Sequence, residues 1–97
     1  RLIVSNNNSF GTIRLHQEQL YPGRPIATDL TNPDFAALAT AFGATGLTIA
    51  TPDQAGPVVR RALATQGPVL VEVRTSLEHI SAYTTLDAIA AGANRRR

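Results

Sequence analysis

At 97 residues the chain has room for at most one domain, burying roughly 60–70% of its unfolded surface. Its 43% hydrophobic and 16% charged residues exclude a disordered segment, and the absence of cysteine excludes disulfides and thiolate chemistry. The net charge of +2 rests on arginine alone, and three of the nine basic residues, Arg95, Arg96 and Arg97, close the chain.

Those three read as a solvated basic tail at 95–97, set apart from a folded portion at 1–94. No aromatic residues are interleaved with them, so a nucleic-acid partner is not expected. No apolar run approaches ~18 residues and no signal-peptide pattern opens the chain, so a membrane partner is not expected and a cytoplasmic location is. Arg1 stands directly before a buried-type strand, an opening that reads as a truncation or an excised fragment.

Taken in order, Leu2 to Val4 is a short apolar run of the kind found in buried strands. It breaks off into three amides, Asn6, Asn7 and Asn8, and polar groups at the carboxyl end of a strand stand where open α/β sheets bind ligands. A helix is expected from Phe10 to about Leu20, with Phe10, Ile13, Gln17 and Leu20 on one face and an Arg14–Glu18 pair on another. Tyr21 to Asp29, containing Pro22, Gly23 and Pro25, reads as a loop.

Asn32-Pro33-Asp34 then reads as a helix start, with Asn32 as cap and Pro33 in the first helical position. Phe35, Leu38, Ala39 and Phe42 form an apolar stripe, and Gly43 ends the helix. Leu47 to Ala50 is the next strand. Thr51 and Gln54 form a capping box for a helix that buries Ala55, Val58, Val59, Ala62 and Leu63, with Pro57 expected to disturb its first turn.

Val69 to Val73 is the strongest strand, nearly continuous and β-branched. Glu72 interrupts it, either as a strand-end carboxylate bound by an Arg or backbone partner or in a direct catalytic role. Leu86, Ile89, Ala90 and Ala93 make a last helix, capped by Thr84 or Thr85. The pattern predicts an α/β fold: a partial three-layer α/β/α arrangement on a parallel sheet of about three strands with right-handed crossovers, the second half of a larger domain.

Three linked segments, LIVSNNNSFGTIRLHQEQLYPGR, TDLTNPDFAALATAFGATG and GPVLVEVRT, carry a family resemblance. In order and spacing they resemble the C-terminal, pyrophosphate-binding domain of thiamine-diphosphate-dependent enzymes. The acetolactate synthase-like and benzoylformate decarboxylase-like groups are the nearest in character. In that family a Gly-Asp-Gly at one strand end and an Asn-Asn at the next hold Mg²⁺ against the diphosphate. The resemblance implies Asn7 as a side-chain metal ligand and Ser9 as a main-chain one. It also implies Phe10, Gly11 and Thr12 as cofactor contacts. Hard oxygen donors of this kind suit Mg²⁺, which takes few ligands from protein. Packing for Phe10 and a turn for Gly11 remain open as alternatives, and Asn8 reads as a turn residue only.

The helix after Thr12 lines the reaction chamber in the family. Pyruvate decarboxylases carry a catalytic Glu where this chain has Ile13, which argues against that subgroup. His16 lies one turn further and could meet substrate, with a structural role as its alternative; His79 matches no motif. No residue here corresponds to the Gly-Asp-Gly or to the Glu that activates the cofactor, so no catalytic residue is assigned. The resemblance implies thiamine diphosphate and Mg²⁺ as cofactors in a full-length setting, a 2-oxo acid substrate and a homo-oligomer. The isolated chain is expected to be inactive. The competing expectation is a non-catalytic α/β module that self-associates through an open sheet edge.

Overall fold

Val69–Val73, the most β-branched run in the chain, forms the middle of a three-stranded parallel sheet in the computed structural model, which describes residues 1–96. The elements run β1 (Leu2–Asn6), α1 (Gly11–Leu20), α2 (Phe35–Ala41), β2 (Thr45–Ile49), a 3-10 turn (Pro52–Gln54), α3 (Ala55–Ala64), β3 (Val69–Arg74) and α4 (Leu86–Arg96). The sheet order is β1-β3-β2, and the expected order of strands and helices is the one observed. The chain divides into two compact units, one made of 1–6 and 32–75, the other of 7–31 and the residues from Ser76 onward. Arg95 and Arg96 continue α4, while Arg97, the last residue of the expected tail, lies outside the described residues.

In the first unit the period-two alternation of the strands separates two faces. Leu47, Ile49, Val69 and Val71 point to one side and pack with Ala62 of α3, joined by Ala55, Val58 and Val73. The other side receives α2, which runs over β2 and β3. Gly46 makes that approach possible: a Cβ there would stand 2.0 Å from the Ala36 carbonyl oxygen. Only a residue without a side chain lets the helix backbone come so near.

This close approach corrects the apolar stripe read along α2. Ala39 is buried and Phe35 half-buried, but Leu38 is exposed and Phe42 is 83% exposed. The contact line follows the small residues Ala36 and Ala39, and Phe42 is the C-cap, already past the last helical residue. Gly43 follows at φ +83°, as a C′ glycine should. The cap also differs from expectation. Asp34 is the N-cap, with its side chain accepting from the Ala37 N–H at 3.0 Å, and Asn32 is engaged elsewhere.

At α3 the capping box is present, on the 3-10 turn rather than on the α-helix itself. The Gln54 side-chain oxygen accepts from the N–H groups of Ala50 at 2.8 Å and Thr51 at 3.4 Å. Because the α-helix begins only at Ala55, Pro57 falls in its first turn, where a missing N–H forfeits no intrahelical bond. Arg1 closes the opposite end. Its guanidinium donates to the carbonyls of Ala62, Leu63 and Thr65 at 2.7–3.0 Å, placing positive charge at the negative end of the helix dipole.

β1 corrects a second expectation, that of a buried strand. It pairs with β3 alone, leaving Leu2 and Ile3 exposed at 58% and 68%. On the α3 side of the sheet an apolar groove lies between Ile3, Val59, Leu63 and Val73. Val59 and Leu63, expected in the core, are exposed along it.

The second unit is built on α1 against α4. Leu86, Ile89 and Ala93 supply the buried face of α4, and Thr85 caps it by accepting from the Ala88 N–H at 3.2 Å. On α1 the expected face is kept only at Gln17, which is half-buried. Phe10, Ile13 and Leu20 are exposed, whereas Glu18 is buried. Glu18 receives Arg14 at 3.2 Å and the Gly23 N–H at 2.8 Å. Gln17 receives the Thr28 hydroxyl at 3.2 Å and donates to the Ile26 carbonyl at 2.9 Å. The polar side chains turn toward the returning loop because they bind its Gly23, Ile26 and Thr28 groups.

Candidate functional site

The amide cluster begins where β1 ends. Asn7 folds into a tight turn in which its side-chain oxygen accepts from the Ser9 N–H at 3.1 Å. Asn8 occupies the left-handed region at φ +56°, a conformation asparagine tolerates better than most residues. Its role as a turn residue agrees with that geometry. Ser9 then forms an isolated antiparallel bridge with Asp29.

The two bonds of that bridge run from the Phe10 N–H to the Thr28 carbonyl at 2.9 Å and from the Leu30 N–H to the Asn8 carbonyl at 2.8 Å. Ser9 therefore sits at the non-hydrogen-bonded position, where its own carbonyl points away from the paired segment. The Ser9 hydroxyl adds a bond to the Thr28 carbonyl at 3.0 Å. Thr28, itself buried, is the anchor of the turn, and sequence reading missed it. The left-handed Ala27 beside it gave no sequence signal, since alanine rarely adopts φ +57°.

Gly11 opens α1 directly behind Asn7. A Cβ on Gly11 would come within 3.0 Å of the Asn7 Nδ2 atom, so the glycine leaves room for that side chain. The helix start has no side-chain cap and no acidic residue in its first turn. Its first amides, from Gly11 onward, are thus open to an anion, and the dipole favours one there. The structure brings Asn7, Ser9, Phe10, Gly11 and Thr12 together as one turn and helix start.

Two neutral oxygens, the Asn7 side-chain oxygen with a lone pair remaining and the Ser9 carbonyl, suit a hard cation such as Mg²⁺. Among the described residues no group of three or more His, Asp or Glu could hold a metal ion. A metal at this turn would take its remaining donors from beyond these two oxygens, and the oxygens of a bound phosphate are suited to that. The donor set fits a metal–diphosphate pair better than a metal alone.

Ile13 and His16 lie further along α1, both exposed. The His16 Nδ1 is 2.8 Å from the Thr12 carbonyl and donates to it, which leaves the lone pair of the neutral ring on Nε2, turned outward. His79 is exposed in the connection before α4; its backbone N–H donates to the Ser76 hydroxyl at 3.5 Å. Glu72 lies in the first unit, buried and bound by Arg74 at 3.2 Å, the Phe35 N–H at 3.3 Å and Asn6 Nδ2 at 3.4 Å. Both the arginine and the backbone partner that its position suggested are present.

Residues 1–73 match the family described as thiamine pyrophosphate enzyme, C-terminal TPP binding domain. The chain belongs to that family. It is a portion of a thiamine-pyrophosphate-enzyme C-terminal domain similar to acetolactate synthases. It is 37% identical over 71 residues to the acetolactate synthase of Bacillus subtilis, a match covering 73% of this chain and 12% of that protein. The acetolactate synthase catalytic subunit of Saccharomyces cerevisiae mitochondria is 33% identical, over 75% of this chain and 11% of its own length. The acetolactate synthase isozyme 2 large subunit of Escherichia coli is 35% identical, over 75% of this chain and 14% of its own length. The chain thus spans about an eighth of the length of the curated relatives it matches. Among the described residues, three parallel strands and four α-helices make a partial α/β domain of the thiamine-pyrophosphate-binding kind.

Proposed function

We propose that this chain is part of a thiamine-diphosphate- and Mg²⁺-dependent enzyme acting on 2-oxo acids in acetolactate synthase-like carboligation or decarboxylation. Its contribution is the Asn-Asn half of the metal–diphosphate site. The observation that carries the reading is the Asn7–Gly11 turn, with its side-chain and carbonyl oxygens beside a helix start that has no side-chain cap.

In this reading Asn7 and the Ser9 carbonyl hold the metal, and the first amides of α1 hold the diphosphate. Phe10 and Thr12 flank the cofactor, while Ile13 and His16 face substrate. Thiamine diphosphate, when bound, supplies an electron sink for carbanion chemistry at the 2-oxo carbon. This chain's residues bind and orient. With its Nδ1 bound to the Thr12 carbonyl, His16 would meet substrate through Nε2.

The 97 residues contain no Gly-Asp-Gly, so the carboxylate ligand of the family motif must come from outside them. The isolated chain is accordingly inactive and binds the cofactor weakly. Isothermal titration of thiamine diphosphate with Mg²⁺ tests this: a Kd of about 1 mM or weaker is expected, and a micromolar Kd would contradict a half-site.

A second reading has its own observation. The exposed Leu2 and Ile3 on β1 favour a module that self-associates through its sheet edge, and the parent enzyme is itself proposed to be a homo-oligomer. Sedimentation of the purified chain decides the point, since a strict monomer at high concentration counts against edge pairing. A cytoplasmic setting completes the proposal; among the described residues no helix is long and apolar enough to cross a membrane.

A further inference from the structure

Glu72 is the most deeply buried large side chain among the described residues, 1% exposed in the central strand, and it has no part in the proposed chemistry. Its two oxygens do different work. Oε2 takes Arg74, whose side chain is 57% exposed. Oε1 takes two neutral donors from other elements, the Phe35 N–H at 3.3 Å and the Asn6 Nδ2 at 3.4 Å. Asn6 is then held from two further directions. Its side-chain oxygen accepts from Asn32 Nδ2 at 2.8 Å, and its carbonyl accepts from the Thr75 N–H at 2.9 Å.

Asn6, Asn32 and Thr75 are the residues at which the backbone leaves or re-enters the sheet unit. One network therefore gathers all three crossings, and Glu72 stands at its base. Asn6 is also bonded directly to Asn7.

We propose that Glu72 is a positioning residue: by fixing Asn6 through Oε1, with Asn32 as second clamp, it sets the start of the Asn7–Ser9 turn. The consequence for metal and diphosphate rests on the cofactor reading, whereas the clamp itself does not. A carboxylate kept only for the Arg74 ion pair would leave Oε1 without a purpose. A carboxylate kept for the clamp needs an acceptor oxygen at that place and not a charge. Glutamine supplies the oxygen and alanine does not, which separates the two roles.

The test is amide hydrogen exchange by NMR on the full 97-residue chain, comparing Glu72→Gln and Glu72→Ala. In Glu72→Ala the Phe10 and Leu30 amides, which close the turn, are expected to exchange about tenfold faster or more. The Ile89 amide of α4, in the same unit as those two, should keep its rate, whereas the β2–β3 ladder, which contains Glu72, should quicken with the loss of the Phe35 bond. Glu72→Gln should restore Phe10 and Leu30 to within about threefold of the parent chain. Unchanged Phe10 and Leu30 in Glu72→Ala, or a glutamine variant as perturbed as the alanine one, overturns the clamp. Should Glu72→Ala fail to fold, Asn32→Ala, at a half-buried position, is read by the same two amides and the same criterion. A parallel titration of the parent chain with Mg²⁺ and thiamine diphosphate keeps the two ideas apart. Absent shifts at Asn7 at roughly 10 mM thiamine diphosphate and Mg²⁺, well above the weak Kd expected, remove the cofactor reading, while unchanged exchange removes the clamp.

Discussion

Replacing Gly46 by alanine inserts one carbon where the structure has no space. The new Cβ would stand 2.0 Å from the Ala36 oxygen, 2.6 Å from its carbonyl carbon and 2.8 Å from its Cα, all backbone atoms that cannot rotate away. Moving from 2.0 Å to an ordinary contact at 3.4 Å requires α2 to retreat by 1.4 Å. A retreat of that size breaks the Phe35 N–H bond to Glu72, already 3.3 Å long. Overpacking costs about 1–3 kcal/mol and a lost bond to a charged group about 1.5–3 kcal/mol. The opposing gain, a less flexible unfolded chain, is about 0.4–1 kcal/mol. The clash wins, and a net loss of about 3 kcal/mol is expected. For a chain of this size that is a fall in Tm of about 12–24 °C. Urea denaturation followed by circular dichroism measures it. Gly92→Ala is the control: nothing lies within 4 Å of a Cβ there, and the helical position should gain about 0.5–1 kcal/mol. A Gly46→Ala variant within 0.5 kcal/mol of the parent would refute the close approach of α2 to the sheet.

Gly11→Ala should behave differently, because the atom it meets is the end of a side chain, Asn7 Nδ2 at 3.0 Å. Helix propensity gains about 0.5–1 kcal/mol while Asn7 is displaced. Stability is therefore expected to hold or rise in urea titration while the shifts at Asn7 produced by Mg²⁺ with thiamine diphosphate fall. Asp34→Ala removes the α2 cap and should cost about 1 kcal/mol in the same assay; Asn32→Ala also costs stability, but by loosening Asn6 rather than by uncapping α2. Arg1→Ala deletes three bonds to the α3 C-terminus at an exposed position and should cost about 1 kcal/mol. Proton exchange at the Thr65 amide, the last of that helix, should quicken first.

Much of the sheet unit was legible because its signals are local. The β-branched run at Val69–Val73 took the centre, the Thr51–Gln54 box formed, and Gly43 ended its helix. What local patterns could not carry was which face of a helix meets its partner. On α2 the decisive residue was Gly46, eleven positions from Phe35 and on another element, whose missing side chain drew the small residues inward and left Phe42 outside. On α1 the inward residues are Gln17 and Glu18, because their partners are backbone groups of a loop that no hydrophobic pattern anticipates. At the candidate site the amide cluster and Gly11 announced themselves as residue types at a strand end. Thr28 and Asn32 did not: their bonds to Ser9 and Asn6 span 19 and 26 residues and follow from the fold alone.

The central claim is that the Asn7–Thr12 turn holds one half of a metal–diphosphate site. Mn²⁺ can replace Mg²⁺ as a paramagnetic probe, titrated into the isotope-labelled chain with and without thiamine diphosphate. The account predicts broadening that requires the diphosphate and is centred on the Asn7 side-chain amide, Ser9 and Phe10. Broadening that ignores the diphosphate, or centres on exposed carboxylates such as Asp53 and Asp87, would contradict it.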